Sequence, residues 1–274
     1  MSPCYIRLLT PDGLEDVDYS ADSLVDAVHY EPEGVYTVTN TYNIFDTLKL
    51  DAHLDRMEDS ARREGISLEL DRPRLRAALR QMIADAAFGD VRFRVSVPRD
   101  RPDHRIISLE PFSPPPPSAY ERGVRCATVA GLNRRNPAAK TSDWMHNRSQ
   151  AVLPVGIYEG LLLGEKGEIL EGFGSNFYAV LDDTLYTSAE GMLPGIAQQI
   201  VLQIAPRVLP LRREAVTVYD LPRLSEAFIT SSSRGIVPVV VIDEVTIGSG
   251  VPGPYTKSLR QHYLAWVADH LEPL

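Results

Sequence analysis

Four consecutive prolines, Pro114–Pro117, constrain the fold of this 274-residue chain more than any other feature of its sequence. A proline run cannot continue a helix or a central strand, because each proline lacks the backbone N–H and fixes its own φ angle. The segment 113–118 is therefore predicted to be a stiff, extended linker. It could instead be a rigid surface loop within one domain, but the residue patterns on its two sides differ. We therefore expect two domains, residues 1–112 and 119–274.

The residues before the linker mix the periodicities of strands and helices. Apolar residues at 51–63 and 73–87 recur at helical spacing, whereas residues 34–42 and 91–97 alternate as strands do. There is no strict strand–helix–strand rhythm, which favours a small α+β domain. Further elements are predicted as a strand at 5–9, a helix at 23–29 and a strand at 45–50.

The residues after the linker are dominated by short strand-like segments. Helical spacing occurs after residue 143, at 196–205 and at 256–270. We therefore predict a larger, β-rich domain with outer helices, so that the whole chain is α+β with two domains. The predicted strands are 124–130, 160–163, 169–170, 177–181, 184–187, 215–218, 227–230 and 237–242.

Composition and charge exclude several classes of function. The formal net charge of −9 argues against broad binding of nucleic acid or anionic membranes, which requires a basic surface. The sequence has no apolar run of membrane-spanning length and no signal-peptide pattern, so a cytoplasmic protein is expected. Two cysteines fit a reducing compartment, and no histidine pair has metal-ligand spacing, so no metal site is expected.

Lys140 and Glu171 are the candidate chemical groups of the second half. Lys140 follows small apolar residues where a strand would end, and desolvation there would lower its pKa and make it a nucleophile towards carbonyl groups. Glu171 lies between an apolar strand and the glycine-containing turn 172–174. Taken singly, each is more often an ordinary surface residue than a functional one.

Two turns have the composition of anion sites. Residues 193–197 form a turn that leads into a helix, and the first N–H groups of a helix lack intrahelical partners and attract anions. Residues 230–235 supply three serines and Arg234 after a strand, and their hydroxyl, amide and guanidinium groups suit phosphate.

Taken in chain order, these segments resemble those of the fold-type IV pyridoxal-phosphate enzymes. This family includes branched-chain aminotransferases, D-amino-acid aminotransferases and aminodeoxychorismate lyase. The resemblance extends over about residues 34–266, and no single motif decides it. The matching segments are HLDR at 53–56, AAK at 138–140, LEGFGSNF at 170–177, LPGI at 193–196, ITSSSRGIVPV at 229–239 and GPYTK at 253–257.

The resemblance implies a role for each of these residues. Lys140 would hold the cofactor as a Schiff base and later move the α-proton of the substrate, and Glu171 would face the pyridine nitrogen. Arg56 would bind the phosphate from the small domain. The resemblance implies further cofactor contacts at Gly174, Ser175, Asn176, Leu193, Gly195, Ile196, Ala197, Ser232 and Ser233.

Three segments depart from the family pattern. Ala197 stands where relatives often have threonine, so one hydroxyl is lost and only the backbone amide is left. Trp144 and Met145 occupy the region in which branched-chain enzymes carry a tyrosine. Arg234 stands where many relatives have a small residue. These changes leave the cofactor expectation in place and affect mainly the substrate expectation.

A substrate with a carboxylate calls for an arginine or for exposed amides. Arg92 and Arg94 share one face of the strand at 91–97, and Arg234 follows a later strand, so these three arginines are candidates. Tyr36 is expected to project towards the cleft where the two domains meet. A solvated basic edge and a core tyrosine are the alternative explanations.

The expected function is transamination by a two-stage ping-pong cycle, which moves an amino group between an amino acid or amine and a 2-oxo acid. Pyridoxal 5′-phosphate is the expected cofactor. The family implies a homodimer with the site in the cleft between domains. Two alternatives are kept: a lyase of the aminodeoxychorismate type, and a non-catalytic binding protein with the same fold.

Overall fold

A computed structural model describes residues 4–274, and these residues divide into two compact units. The first unit contains the described residues up to Ser113 together with Ala139–Gln150 and His270–Leu274. The second unit contains Pro114–Ala138 and Ala151–Asp269. One division therefore falls at the start of the proline run, and two later segments are grouped with the first unit.

A seven-stranded sheet forms the framework of the first unit, in the order β16-β4-β3-β5-β6-β1-β2. Its centre is the antiparallel pair β3 and β5, in which Tyr36 lies opposite Ser96 and Val38 opposite Arg94. The strands are β1 (Tyr5–Thr10), β2 (Gly13–Asp16), β3 (Gly34–Tyr42), β4 (Asp46–Leu48), β5 (Val91–Pro98), β6 (Arg105–Pro111) and β16 (Leu271–Pro273).

Two helices, α1 (Leu50–Arg63) and α2 (Arg72–Ala86), belong to the same core as this sheet. In α1, Leu54, Met57 and Ala61 recur at helical spacing and are almost fully buried. Burial of a large apolar side chain such as Leu54 or Met57 stabilises the fold by about 1.5–3 kcal/mol. Asp71 caps α2 by accepting a hydrogen bond from the Arg74 amide at 3.0 Å.

The segment 139–150 joins the first unit through the backbone of β3. The Tyr36 amide donates to the Lys140 carbonyl oxygen at 3.1 Å, and Val35 pairs with Thr141 in an antiparallel bridge. The helix α4 (Ser142–Ser149) follows at once, and the Gly34 amide donates to the Ser142 hydroxyl at 2.8 Å. These contacts fix the backbone of Lys140 beside β3.

A β-barrel forms the centre of the second unit. Because β9 pairs with both β8 and β10, six strands close into a ring in the order β10-β13-β14-β7-β8-β9. Two short strands, β11 and β12, extend the sheet beyond β10, and β15 pairs with β14. The strands are β7 (Val124–Val129), β8 (Glu159–Leu163), β9 (Ile169–Gly172), β10 (Ser175–Leu181), β11 (Thr184–Tyr186), β12 (Leu211–Arg212), β13 (Glu226–Ser231), β14 (Gly235–Ile242) and β15 (Val245–Thr246).

Three helices complete the second unit. The short helix α3 (Pro117–Glu121) begins at the last residue of the proline run, where a missing N–H costs nothing. The helices α5 (Ile196–Ile204) and α6 (Pro254–Asp269) contact each other, and both contact β13. Small α+β and larger β-rich parts are therefore both present, as the sequence predicts, and the fold class is confirmed.

The structure differs from the sequence predictions in several local elements, among them the following. The predicted strand at 215–218 is wrong, because a 3-10 helix occupies Val218–Arg223 and only an isolated bridge at Thr217 is extended pairing. The predicted helix at 23–29 is a shorter 3-10 turn, Asp26–His29. The strand β6 was not predicted, although it pairs with β5 and β1.

Candidate functional site

Lys140 is the most enclosed lysine of the chain. Of the four lysines, all of which lie in the described part of the chain, it alone is buried, with 8% of its surface exposed. Its amide donates to the Ser60 hydroxyl at 3.0 Å, and its Nζ lies 4.5 Å from the centroid of the Tyr36 ring. A cation that close to an aromatic face is attracted by the ring quadrupole. Backbone and side chain of Lys140 are therefore both positioned.

One face of α1 supports this lysine. Ser60 and Arg56 are four residues apart, and the Ser60 hydroxyl donates to the Arg56 carbonyl oxygen at 2.7 Å while it accepts from Lys140. His53 lies one turn earlier and is buried, with its Nδ1 2.9 Å from the Thr37 hydroxyl. Arg56, Ser60 and Lys140 are thus linked within the first unit.

His53 is neutral at physiological pH. Burial, followed by the nearby charges of Arg56 and Lys140, holds the pKa of the His53 imidazole well below its ordinary value of 6.5. The histidine therefore brings no further positive charge to the surroundings of Lys140. Its role in the folded chain is a hydrogen bond with Thr37 on β3.

Glu171 lies in the second unit and is almost completely buried. Its Oε1 accepts a hydrogen bond from Arg134 Nε at 2.6 Å, and the side chains of Arg134 and Glu171 are 3% and 1% exposed. Its Oε2 accepts from the Leu193 amide at 3.1 Å. Burying a carboxylate is costly unless charge and hydrogen bonds compensate it, and here both do. Glu171 is therefore held as an anion with a fixed orientation.

The turn 193–195 is joined to Glu171 and to Asn176. Asn176 lies opposite Glu171 in the β9–β10 pair, and its Nδ2 donates to the Leu193 carbonyl oxygen at 2.8 Å. A Cβ at Gly195 would collide with Asn176 Oδ1 unless the Asn176 side chain moved, so this position favours glycine. The predicted residues Glu171, Asn176, Leu193 and Gly195 are thus brought together, and α5 starts directly after them.

The N-terminus of α5 has no side-chain cap. Gly195 precedes the helix, and the first amides are those of Ile196, Ala197 and Gln198. Gln198 is 3% exposed, and among residues 4–274 its Nε2 has no hydrogen-bond partner. An unsatisfied buried donor on the first turn of a helix matches the need of an anion such as phosphate.

The turn between β13 and β14 is closed by a hydrogen bond from the Arg234 amide to the Ser231 carbonyl oxygen at 3.2 Å. Ser232 and Ser233 lie at its tip, and Gly235 follows with a φ of +61°, a conformation that favours glycine. The Arg234 guanidinium pairs with Glu159 at 2.6 Å. Its charge is therefore balanced within the second unit.

The other predicted arginines are also paired inside their unit. Arg94 forms a buried ion pair with Glu31 and donates to the Leu24 carbonyl oxygen at 2.6 Å. Arg92 is 3.3 Å from Glu110 and its side chain is 37% exposed. Tyr36 is buried, and its ring is in contact with Lys140 Nζ.

Sequence reasoning missed four residues that the structure adds to these surroundings. Arg134 pairs with Glu171, Ser60 binds the Lys140 amide, Glu159 pairs with Arg234, and Gln198 ends in an unsatisfied donor. Ser60 follows the HLDR segment and belongs to the resemblance with the family's small-domain helix, but sequence reasoning gave it no role in the site. The ion pairs join residues 37 and 75 positions apart in the chain, which no local pattern reveals.

Among residues 4–274, no helix is long and apolar enough to cross a membrane. In the same range, no group of three or more histidine, cysteine, aspartate or glutamate side chains is arranged to hold a metal ion.

Comparison with known proteins identifies the family. The family model described as amino-transferase class IV matches residues 34–242. The chain is 28% identical over 243 residues to a D-alanine aminotransferase of Bacillus licheniformis, covering 83% of this chain and 85% of that protein. It is also 28% identical over 251 residues to a putative branched-chain-amino-acid aminotransferase of Methanocaldococcus jannaschii, covering 84% of this chain and 86% of that protein.

Solved structures agree with this assignment. A putative branched-chain amino acid aminotransferase of Thermotoga maritima superimposes with a TM-score of 0.77 at 25% identity, over 96% of each chain. The branched-chain amino acid aminotransferase of Escherichia coli shares the fold with a TM-score of 0.78 at 23% identity, over 98% of this chain and 96% of that one. The chain belongs to the class IV aminotransferases.

Class IV aminotransferases use pyridoxal phosphate, and another branched-chain amino acid aminotransferase that shares this fold was solved with pyridoxamine 5′-phosphate. The residues of this chain fit the cofactor. Lys140 supplies the one buried lysine amine of the described residues, Glu171 a buried carboxylate held by Arg134, and α5 an uncapped N-terminus with an unsatisfied Gln198 donor. These are the groups that an aldehyde, a pyridine nitrogen and a phosphate require.

Proposed function

We propose that this protein transfers an amino group between an amino acid or amine and a 2-oxo acid by a two-stage ping-pong cycle. Pyridoxal phosphate, when bound, supplies an electron sink that stabilises negative charge at the substrate Cα. The chain's own residues then have three tasks. They hold the cofactor, keep its pyridine nitrogen charged and move protons at the reacting carbon.

Lys140 is assigned the covalent link and the proton transfer. Its amine would bind the aldehyde carbon of the cofactor and, after release by the incoming amino group, take the proton from the substrate Cα. The contacts with Ser60 and Tyr36 restrict where this amine can lie. Such restriction favours proton transfer from the substrate Cα, because reacting groups that are already held at close range avoid an entropic cost.

Glu171 is assigned to the pyridine nitrogen. A carboxylate there favours the protonated nitrogen, because an opposite charge stabilises the charged form. Arg134 and the Leu193 amide hold Glu171 in its ionised form and in one orientation. Gly174, Ser175 and Asn176 are assigned to the edge of the cofactor.

The resemblance assigns several groups to the phosphate. Arg56 would supply a bidentate cation. The amides of Ile196, Ala197 and Gln198, together with the Gln198 side chain, would supply the uncapped helix end. Ser232 and Ser233 would add hydroxyl and amide donors.

The substrate is assigned a smaller set of residues. Arg92, Arg94 and Arg234 each pair with a carboxylate of their own unit. Of the three, Arg92 has the most exposed side chain, at 37%, and it is therefore assigned to the substrate carboxylate. Tyr36 would line the space beside Lys140.

One observation carries the proposal: the lysine that the resemblance assigns to the cofactor is the single buried lysine of the described chain, fixed at backbone and side chain. The test is the visible absorbance of the purified protein before and after single additions of D-amino acids, L-amino acids and primary amines. We expect a lysine-linked cofactor band that at least one donor converts to the amine form. A subsequent 2-oxo acid should restore the band.

Two controls separate the alternatives. Lys140→Ala should abolish the lysine-linked band, whereas Lys257→Ala removes an exposed lysine and should leave it unchanged. A band that no donor converts, together with pyruvate release from aminodeoxychorismate, would favour the lyase. Absence of a band in the native protein after incubation with pyridoxal phosphate would favour a binding protein with the same fold.

The proposal includes a homodimer, as the family implies. Light scattering at the elution peak of a sizing column measures the mass directly, and a dimer would have twice the 30.4 kDa of the chain. A mass equal to one chain would remove this part of the proposal and leave the chemistry unaffected.

A further inference from the structure

Arg234 and Glu159 form an ion pair that joins three segments of the second unit. Glu159 is the first residue of β8, and Arg234 lies in the turn between β13 and β14. Arg234 Nη1 is 2.6 Å from Glu159 Oε2. Between them in the chain is the β9–β10 turn, which both side chains also bind.

Arg234 uses its guanidinium in three directions. Nε donates to the Ser231 hydroxyl at 2.8 Å, Nη1 to Glu159, and Nη2 to the Gly174 carbonyl oxygen at 3.2 Å. The backbone oxygen of Arg234 accepts a hydrogen bond from the Tyr120 hydroxyl at 2.9 Å. The arginine therefore fixes its own turn and ties it to the β9–β10 turn.

Glu159 completes the connection from the other side. Its Oε1 accepts from the Gly174 amide at 2.6 Å and from the Ser175 hydroxyl at 3.0 Å. Both backbone groups of Gly174 are thus bound, the amide by Glu159 and the carbonyl by Arg234. A Cβ at Gly172 would collide with the Ser175 hydroxyl and approach Glu159, so the turn packs directly on this pair.

The pair is charged in the folded protein. Burial acts to raise the pKa of the Glu159 carboxyl, but the Arg234 guanidinium and the hydrogen bonds from Gly174 and Ser175 hold it below its ordinary value. Charge-assisted hydrogen bonds of this kind are shorter and stronger than neutral ones, so they restrict the turns they join.

We propose that Glu159 and Arg234 are positioning residues that set the distance between the turn 171–176 and the turn 231–235. This inference rests on the proposed function, in which the first turn meets the pyridine end of the cofactor and the second meets its phosphate. A ligand held at both ends binds tightly only when the two turns are correctly spaced. This role would explain why the chain has Arg234 where many relatives have a small residue.

The test compares two ligands on the cofactor-free, full-length chain. Pyridoxal phosphate contacts both turns, whereas pyridoxal lacks the phosphate and depends on one turn only. The dissociation constant of each is measured from the lysine-linked absorbance band in the native chain and in Arg234→Gln, Arg234→Lys and Glu159→Gln. Arg223→Gln is the matched control, because it removes an exposed arginine that pairs with Asp182 in the same unit.

We expect Arg234→Gln to raise the dissociation constant of pyridoxal phosphate by at least about tenfold, which is equivalent to the loss of one charge-assisted hydrogen bond. The dissociation constant of pyridoxal should stay nearly unchanged. Arg234→Lys keeps the charge but offers one nitrogen instead of three, so it should restore only part of the loss. Glu159→Gln should act in the same direction, and Arg223→Gln should bind both ligands as the native chain does.

Three results would overturn the inference. An equal loss of affinity for both ligands would show that the substitution loosens the fold in general. An unchanged affinity for pyridoxal phosphate would show that the ion pair does not position the two turns. Complete restoration by Arg234→Lys would show that charge alone matters. Circular dichroism checks folding, and Glu159→Gln provides the comparison if Arg234→Gln does not fold. If the native chain itself forms no band with pyridoxal phosphate, the proposed function fails, which is distinguishable from failure in the variants alone.

Discussion

The first backbone amides of α5 and α6 differ in their hydrogen-bond partners. At α6, the Glu226 carboxylate accepts from the Tyr255 amide at 2.9 Å and from the Thr256 amide at 2.7 Å. A Cβ at Gly253 would collide with the same carboxylate, so the GPYTK segment is shaped around an internal anion. At α5, no side chain caps the helix, and Gln198 adds an unsatisfied donor.

The difference separates a structural helix end from one suited to a ligand. Both ends carry the partial positive charge of the helix dipole. The chain neutralises one with its own glutamate and leaves the other for an external anion, which we propose is the cofactor phosphate. A change of charge at the N-terminus of α5 should therefore alter cofactor affinity, whereas a change of charge at the N-terminus of α6 should alter stability.

The largest expected effect is that of Gln198→Glu. This nearly isosteric change places a carboxylate on the first turn of α5, where it favours the helix dipole but repels phosphate. A like-charge contact at about 4 Å costs about 4 kcal/mol at an effective dielectric constant of about 20. We expect pyridoxal phosphate affinity to fall by at least about a hundredfold.

The measurement for Gln198→Glu is titration of the cofactor-free protein, with urea unfolding in parallel. Stability of the cofactor-free chain should be retained or increased. Unchanged affinity for pyridoxal phosphate would show that this helix end does not meet the phosphate.

Glu226→Gln should show the converse pattern. It removes the charge that two α6 amides require, and bonds to charged groups are worth about 1.5–3 kcal/mol. We expect the free energy of unfolding to fall by about that amount, with cofactor affinity unchanged. Urea unfolding of the cofactor-free chain measures the loss, and a simultaneous loss of affinity in the folded variant would break the contrast between the two helix ends.

Ala197→Thr should sharpen the contrast by a smaller amount. It returns the hydroxyl that relatives often carry on the first turn of α5. One added hydrogen bond is worth about 0.5–1.5 kcal/mol, so we expect pyridoxal phosphate to bind a few fold more tightly. Pyridoxal, which lacks the phosphate, serves as the control ligand and should gain nothing.

The last prediction concerns His53, a buried group of the first unit that has an internal hydrogen-bond partner, as Glu226 has. The pKa of folded His53 is well below that of the unfolded chain, so acidification below about pH 6.5 protonates the unfolded state first and lowers stability. His53→Gln cannot titrate but keeps a partner for Thr37.

Urea unfolding of both proteins between about pH 7.5 and about pH 5 tests this, since one group contributes at most about 1.4 kcal/mol per pH unit. The stability of the native chain relative to the variant should decrease towards acid. A constant difference would mean that His53 has the same pKa in the folded and unfolded states.

The elements that local patterns encode were well predicted. Residues 34–42 alternate and form β3, the Asp182–Asp183 dipeptide joins β10 to β11, and Leu193–Gly195 leads into α5. These predictions depend on residues a few positions apart, where side-chain period and turn chemistry decide the backbone.

What could not be predicted depends on the closure of the barrel and on packing between distant segments. Arg134 meets Glu171, and Arg234 meets Glu159, only because the strand order brings their segments together. Arg234 illustrates the point: sequence alone indicated a substrate or phosphate ligand, whereas its nitrogens are bound by Ser231, Glu159 and Gly174.

Chemical trapping of the cofactor shows directly whether Lys140 carries it. The protein is incubated with pyridoxal phosphate, reduced with borohydride to make the link permanent, digested and mapped by mass spectrometry. We expect the pyridoxyl label on Lys140 alone among the four lysines. A label on Lys49, Lys166 or Lys257 instead, or no label on any lysine, would contradict it.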